Sequence, residues 1–259
     1  MLLQTRKHNM GRKAILVTTY NRPEYLSKCF ASLSELILNE GDIIIIVDDC
    51  SKDAETLRLI RSFSHQKAGV IRIMKNANKG IKNSLLVGYR KAFNELNCKF
   101  VINVDGDAIF KPNMANKLVE FKSRFPEKII TGFNTLSKNT KTNKPRHPIV
   151  ETYPDYYVKK TIGGINLICN RNEFEFKIKQ CLQSKGHWDW KLCELLNGII
   201  VTRPSLVDHI GIDSSMNHSD NPDIACDFYE KVHLPQVAPD VGRKARSKWA
   251  TRTAHPKKN

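Results

Sequence analysis

Asp105, Gly106 and Asp107 close a strand-length apolar run, Phe100-Val101-Ile102-Asn103-Val104. Two carboxylates one residue apart at such a point stand at the carboxyl edge of a buried strand, where ligands collect in open α/β sheets. Paired hard oxygen ligands suit a hard divalent cation carrying a phosphate ester. The pattern therefore points to a metal-dependent enzyme acting on a nucleotide-linked substrate. Taken alone, such a tripeptide is more often a solvated turn or a capping pair, and its place after a buried strand reverses that default.

The hydrophobic pattern predicts the elements that must hold those acids. Ala14-Ile15-Leu16-Val17 is a short branched apolar run that gives way to polar Thr18-Thr19-Tyr20-Asn21-Arg22-Pro23, a strand passing into a loop. Residues 24–38 place Tyr25, Leu26, Cys29, Phe30, Leu33, Leu36 and Ile37 at helical spacing, closed by Gly41. Ile43-Ile44-Ile45-Ile46-Val47 is a continuous apolar strand of the kind covered on both faces, with Asp48 and Asp49 at its end. Ser51 or Asp53 is placed to cap a helix running to about Phe63. Val70-Ile71-Arg72-Ile73-Met74 reads as a third strand and residues 81–96 as an amphipathic helix that leads into the D-x-D strand.

Four strands alternating with helices predict a parallel, right-handed α/β sheet, and three of them end in polar clusters that converge on one edge. Further on, a helix is expected from Pro112 to Phe125, a strand at 128–132 and a strand at 161–168. A helix from Glu173, another at 189–196 and a strand at 199–201 complete the expectation. Residues 134–148, rich in Lys, Asn and Thr without a period, read as a surface loop, either a lid or an ordinary insertion.

Composition bounds the partners. The chain of 259 residues is 41% hydrophobic and 26% charged, ordinary globular values, and carries a formal net charge of +16. That excess attracts polyanions: nucleotide diphosphates, nucleic acid or anionic membranes. Specific nucleic-acid binding is disfavoured, because the basic residues are widely spread and lack an interleaved aromatic platform. Arg243, Lys244, Arg246, Lys248, Arg252, Lys257 and Lys258 form a basic tail, read first as solvated and second as a docking patch for a membrane or partner. Seven cysteines without a C-x-x-C pair argue for a reducing, cytoplasmic compartment and against a disulfide framework. No signal-peptide core is present at 1–13, and no run approaches the ~18 apolar residues of a membrane span.

Four ordered stretches carry a resemblance: Val17-Thr18-Thr19-Tyr20-Asn21-Arg22-Pro23, Val47-Asp48-Asp49-Cys50-Ser51-Lys52-Asp53, Asn78-Lys79-Gly80 and Asp105-Gly106-Asp107. In this order and at these intervals they resemble the family 2 glycosyltransferases of the GT-A fold, well over residues 13–107 and more weakly to about Ser215. The resemblance implies a single Rossmann-like α/β/α sandwich with a mostly parallel sheet. It also implies an N-terminal tail at 1–12 and a domain at 13–240, split into a nucleotide-sugar half (13–110) and an acceptor half (111–240). Residues 241–259 are the basic tail.

In that family the D-x-D carboxylates hold Mn²⁺ or Mg²⁺ on the donor diphosphate. Asp107 is then the direct metal ligand and Asp105 lies on metal, ribose or donor sugar. Thr18, Tyr20, Arg22 and Asp49 match positions that grip nucleoside and phosphates, a ring on the base, a carboxylate on the uracil imide and a cation on the diphosphate. Tyr20 is equally readable as a buried aromatic, and Asp48 as a helix cap or as a residue that orients the loop. Lys79 and Gly80 match the donor loop, where glycine permits close backbone approach. The family's following Arg-Asn is replaced by Leu85-Leu86, so Lys79 or Lys82 is the candidate substitute.

The second half supplies the rest by resemblance. Gly163 and Gly164 match the acceptor-side glycine turn, alternatively a strand bulge. Trp188-Asp189-Trp190 matches the place of an acidic base at a helix start, with Asp189 taking the proton of an acceptor hydroxyl between aromatics that stack on sugars. Its competing reading is a helix cap, and Glu194 is a lesser candidate. His209, ahead of Gly211, matches a histidine returned to the metal. His187, His218 and His233 are unassigned, and a zinc site from His209, His218, Cys226 and His233 matches no tight ligand spacing.

The expected activity is transfer of a hexose (glucose, galactose or N-acetylhexosamine) from a UDP-sugar to a hydroxyl on a glycan, protein or lipid, with inversion. The rivals are a nucleotidyltransferase and an inactive sugar-binding protein of the same fold. The first wants a glycine- and lysine-rich triphosphate loop that Thr18 to Pro23 does not provide.

Overall fold

The computed structural model describes residues 11–139, 142–211 and 223–229. A compact unit runs through Phe228, and a second begins at Tyr229. The N-terminal residues 1–10, the basic tail, His218 and His233 lie outside the described residues.

The continuous apolar runs became strands as expected: β1 (Lys13–Thr19), β2 (Ile43–Asp48), β3 (Gly69–Met74) and β4 (Phe100–Asp105). Between them lie α1 (Pro23–Ser34), α2 (Ala54–Ser62) and α3 (Gly80–Arg90), the last continued by a π-type turn at Lys91–Glu95. Asp53 caps α2 by accepting from the Thr56 amide at 2.7 Å. A short β5 (Ala108–Phe110), α4 (Met114–Arg124) and a two-residue β6 (Ile130–Thr131) follow.

A hairpin not expected from sequence comes next, β7 (Ile149–Thr152) and β8 (Tyr156–Lys159). Then come β9 (Asn166–Asn170), α5 (Arg171–Glu173), a π-type turn at Phe174–Ile178 and α6 (Lys179–Gln183). The chain continues through α7 (Trp188–Glu194), β10 (Ile199–Thr202) and β11 (Val207–His209).

The main sheet has the order β3-β2-β1-β4-β9-β6-β10-β8-β7. Only β9 and β8 run against the other strands, so the sheet is mostly parallel, as expected. Alternate residues of each buried strand feed opposite faces. Ile15, Val17, Ile44 and Ile46 pack with α1, α2 and α4, while Ala14, Leu16, Ile45 and Val47 pack with α3 and the second-half helices. The result is the expected α/β/α sandwich.

Two local expectations are corrected. Residues 161–165 are irregular and the strand begins at Asn166, so Gly163 and Gly164 precede β9 and are no bulge within it. The supposed surface loop starts buried at Asn134 and Thr135, because Thr135 bridges to Ala225. Among the described residues, no helix is long and apolar enough to cross a membrane.

Candidate active site

Beyond β1 the chain first builds outward through β2 and β3, then returns to place β4 on the other side of β1. Such a reversal opens a crevice at the carboxyl ends of the two diverging strands. Thr18 and Asp105 are register partners at that point. Asp107 follows, and its backbone is gripped by a second, small sheet: β5 pairs antiparallel with β11, setting His209 opposite Ala108. The Ile210 amide donates to the Asp107 carbonyl at 2.9 Å. This ribbon of two three-residue strands carries a histidine from the far end of the chain to the D-x-D acids.

Asp107 Oδ2 accepts from Arg22 Nη1 at 2.8 Å and lies 3.2 Å from His209 Nε2. Burial works against the Asp107 charge, yet the His209 hydrogen bond and charge and the Arg22 guanidinium hold its carboxyl below the usual carboxylate range. Asp105 has less help. Burial and then the neighbouring Asp107 push it up to about 8, with His209 pulling the other way and Asp189 adding to the rise. Burial lowers His209, but Asp107, Asp105 and Asp223 together push it up to about 9. Gly211 closes the cluster: a Cβ there would stand 2.2 Å from Asp107 Oδ2 and 3.0 Å from Arg22 Nη2.

Among the described residues, no three His, Cys, Asp or Glu side chains are already set as a metal cage. Asp105, Asp107 and His209 still bring two carboxylates and an imidazole to one place, and Asp105 Oδ1 is buried without a hydrogen-bond partner. A shielded carboxylate oxygen without a donor is costly unless a cation meets it. The donor set fits Mn²⁺ or Mg²⁺. His209 must give up its proton to ligate, and Asp107 must be shared with Arg22.

The loops after β1 and β2 are held in constrained backbone. Asn21, Arg22 and Cys50 have φ of 50°, 65° and 68°, left-handed values that non-glycine residues rarely adopt. Asn21, missed in the sequence, ties the two loops together: its amide donates to Ser51 Oγ at 2.7 Å, and its Oδ1 accepts from the amides of Lys52 and Asp53. Asp48 accepts from the amide and hydroxyl of Ser51, the orienting role that sequence allowed. Tyr20 is 40% exposed, so its ring is available as a platform and is not a core aromatic.

Asp49 is heavily engaged. Oδ1 accepts from Lys75 Nζ and the Lys79 amide, and Oδ2 from the Gly80 amide at 2.7 Å. One lone pair on Oδ2 is left for a ligand. Lys75, another residue missed in the sequence, sits just past β3. Gly80 adopts φ 79°, which its lack of a Cβ permits. Lys79 occupies the N-cap position of α3, and its side chain is exposed. Lys82 does not turn toward the crevice: it donates to the Ser184 and Gly186 carbonyls at 2.6 and 3.2 Å, which corrects its reading as a phosphate substitute. Leu85 is fully buried and Leu86 packs partly buried against the same core, so neither supplies a polar contact in place of Arg-Asn.

Across the crevice, in the second half of the chain, Gly164 lets an indole approach. A Cβ there would meet Trp188 Cζ2 at 2.6 Å and Asp189 Cβ at 3.3 Å, so α7 starts hard against the glycine turn. Trp188 is thereby a core residue, 6% exposed, while Trp190 is 44% exposed, so only one of the two aromatics can meet a sugar. His187 holds the N-cap position, leaving Asp189 in the first turn with its side chain partly exposed and its charge felt at Asp105. Glu194 pairs with Lys191 on the surface.

Trp190 lies 5.8 Å from the ring of buried His147, centroid to centroid. Burial, Lys159 and Arg146 hold His147 below its ordinary range, against Asp223 and Asp189. His147 sits in a stretch without period, and nothing in the sequence marks it. Asp223 was missed as well, and its Oδ2 lies 3.5 Å from where a Cβ of Gly163 would stand.

The model of glycosyl transferase family 2 matches residues 14–187. No curated protein matches the chain in sequence. Among solved structures, TarS from S. aureus is 19% identical with a TM-score of 0.52, over 73% of this chain and 35% of that one. Its 1–349 form in complex with UDP is 18% identical, TM-score 0.52, over 73% and 57%. GalNAc-T7 with UDP, GalNAc and Mn²⁺ is 14% identical, TM-score 0.56, over 78% and 44%. The chain thus spans well under two thirds of the length of these neighbours, and the likeness is one of fold. With the family model covering most of the chain and the D-x-D crevice at the sheet's reversal point, this chain of GT-A fold belongs to glycosyl transferase family 2.

Proposed function

We propose that the chain transfers a hexose, glucose, galactose or N-acetylhexosamine, from a UDP-sugar to a hydroxyl of a glycan, protein or lipid acceptor, with inversion and with Mn²⁺ or Mg²⁺. The observation that carries this reading is the pairing of Asp105, whose buried oxygen lacks a donor, with Asp107, held ionised by Arg22 and His209. UDP is also the nucleotide present with TarS and with GalNAc-T7, the latter together with Mn²⁺.

Asp105, Asp107 and His209 hold the metal, which when bound supplies positive charge against the departing diphosphate. Arg22 and Lys79 meet the same phosphates, Thr18 lines the nucleoside side, and Tyr20 offers its exposed ring to the base. Asp49 keeps Lys79 and Gly80 in place and directs its remaining lone pair to the uracil imide. Asp189 takes the proton of the acceptor hydroxyl, and Trp190 receives an acceptor sugar face. The Gly163–Gly164 turn keeps the floor between donor and base open. Seven unbridged cysteines suit a cytoplasmic location, and the basic tail offers peripheral membrane contact.

The test is a screen of UDP-, GDP- and dTDP-sugars for hydrolysis and thermal stabilisation, with and without Mn²⁺, followed by the anomeric configuration of the product by NMR. A metal-dependent response confined to UDP-sugars is expected. No response to any nucleotide sugar removes the reading, and a retained configuration removes only the inversion.

A further inference from the structure

Asp223 is an acidic residue of this site that the proposed reaction leaves idle. Its backbone carbonyl faces His209 Nδ1 at 3.2 Å, the side of the ring opposite Asp107. Its carboxylate is different: Oδ1 is buried and has no hydrogen-bond partner, and Oδ2 stands 3.5 Å from the position of a Gly163 Cβ. The backbone beyond it is pinned. Ala225 donates to Asp208 Oδ1 at 2.8 Å, Cys226 to the Asn134 carbonyl at 2.9 Å, and Ser205 donates through its amide and hydroxyl to Asp227 Oδ1. A carboxylate oxygen set on so fixed a segment, shielded from water and without a donor, is a hydrogen-bond site that a ligand completes.

Position names the ligand. Gly163 adjoins Gly164, which packs on Asp189, while the Asp223 carbonyl is tied to the ribbon that carries His209 beside Asp107. The carboxylate therefore lies between the D-x-D acids and the proposed base, where the sugar being transferred must sit if Asp189 is to deprotonate its attacker. Gly163 itself presents no side chain toward the Asp223 carboxylate. We propose that Asp223 accepts a hydrogen bond from a hydroxyl of the donor sugar and so helps to select which hexose is transferred. This rests on the glycosyl-transfer reading above.

The experiment is calorimetry on the full chain in Mn²⁺ with UDP, UDP-glucose, UDP-galactose and UDP-N-acetylglucosamine, for the wild type, Asp223→Asn and Asp223→Ala. Both variants keep the backbone carbonyl on His209. The expected result is that affinity for the preferred UDP-sugar relative to UDP falls about tenfold in Asp223→Ala, and less in Asp223→Asn, which keeps an acceptor oxygen. UDP binding by the variants shows that they fold. Identical ratios in all three proteins overturn the inference while leaving the function intact. Absence of UDP binding by the wild type overturns the functional reading and this inference with it.

Discussion

Arg22 donates to Asp107 at 2.8 Å across 85 residues of sequence, and it does so from a left-handed backbone with φ 65° at the start of α1. The strained loop after β1 and the D-x-D turn after β4 are thus fastened to each other through one guanidinium and one carboxylate oxygen. His209 meets the same oxygen from the other side. Asp107 is therefore the joint on which the loop after β1, the D-x-D turn and the β5–β11 ribbon meet.

Replacing that charge is the most direct intervention. Asp107→Asn keeps the size of the side chain but leaves Arg22 and His209 facing a neutral amide. Metal-dependent turnover of a UDP-sugar is expected to fall on the order of 100–1000-fold, the scale of losing one preorganised electrostatic partner. Steady-state hydrolysis with and without Mn²⁺ measures it. Wild-type turnover with an unaltered Mn²⁺ response takes Asp107 out of the metal set.

Gly211 tests the same joint without altering any charge. A Cβ at this position would lie 2.2 Å from Asp107 Oδ2 and 2.9 Å from its Cγ, so Gly211→Ala must push the carboxylate off Arg22 and His209. A displacement of that size at a reacting centre costs on the order of 100-fold in turnover. Far-UV circular dichroism is expected to stay as in the wild type, since the clash is with a side chain. Turnover equal to wild type means that the crevice relaxes around the methyl group, and that the Asp107 position is not as constrained as its three neighbours imply.

What the sequence disclosed and what it hid follow from the range of the interactions. β1, β2 and β4 announce themselves because each is buried on both faces and so reads as a nearly continuous apolar run, whereas the edge strand β3 is only partly buried and shows through its branched residues Val70, Ile71 and Ile73. The β5–β11 ribbon does not, since three residues a side carry no period, yet it is what sets His209 beside Asp107. Residue chemistry pointed to Asp105 and Asp107, the family resemblance to Asp189 and His209, and the fold brings His209 against Asp107 and Asp189 near enough for its charge to act on Asp105. Lys75, Asn21, His147, Gly211 and Asp223 act only through partners distant in the chain, and nothing local marks them. Lys82 misled for the same reason: its partners, the Ser184 and Gly186 carbonyls, lie a hundred residues away.

Lys159 gives the site a pH signature in stability. Its ammonium is buried against the Thr135 carbonyl at 2.6 Å, and burial, opposed by Cys226, Asp223 and Asp227, lowers its pKa to about 8. Between about 8 and the ordinary 10.5 the unfolded chain holds a proton that the folded one has released, so stability rises with pH across that window. Below it the full desolvation cost applies. Relative to wild type, Lys159→Met is expected to be most stable below pH 8 and to lose on the order of 3 kcal/mol of that relative stability by pH 10.5. Urea denaturation of both proteins from pH 7 to 10.5 reads the slope of the difference. A flat difference shows that Lys159 keeps an ordinary pKa in the folded protein.

The two tryptophans flanking Asp189 should separate stability from acceptor binding. Trp188 fills the space that Gly164 leaves open, with Cζ2 only 2.6 Å from where a Cβ would stand, and is almost wholly buried. Trp188→Ala opens a cavity at the start of α7 and is expected to cost about 3–5 kcal/mol. Trp190 is half exposed, and its ring neighbour is His147 at 5.8 Å, so Trp190→Ala removes an exposed aromatic face, the one proposed to receive the acceptor sugar, with little cost to the core. Its expected effect is a rise of about tenfold in acceptor KM, the worth of one aromatic contact, with the donor KM as in wild type. Denaturation midpoints and two-substrate kinetics on both variants distinguish the roles. A large stability loss in Trp190→Ala, or an unchanged acceptor KM, moves the acceptor site away from α7 and detaches Asp189 from the proton that it is proposed to take.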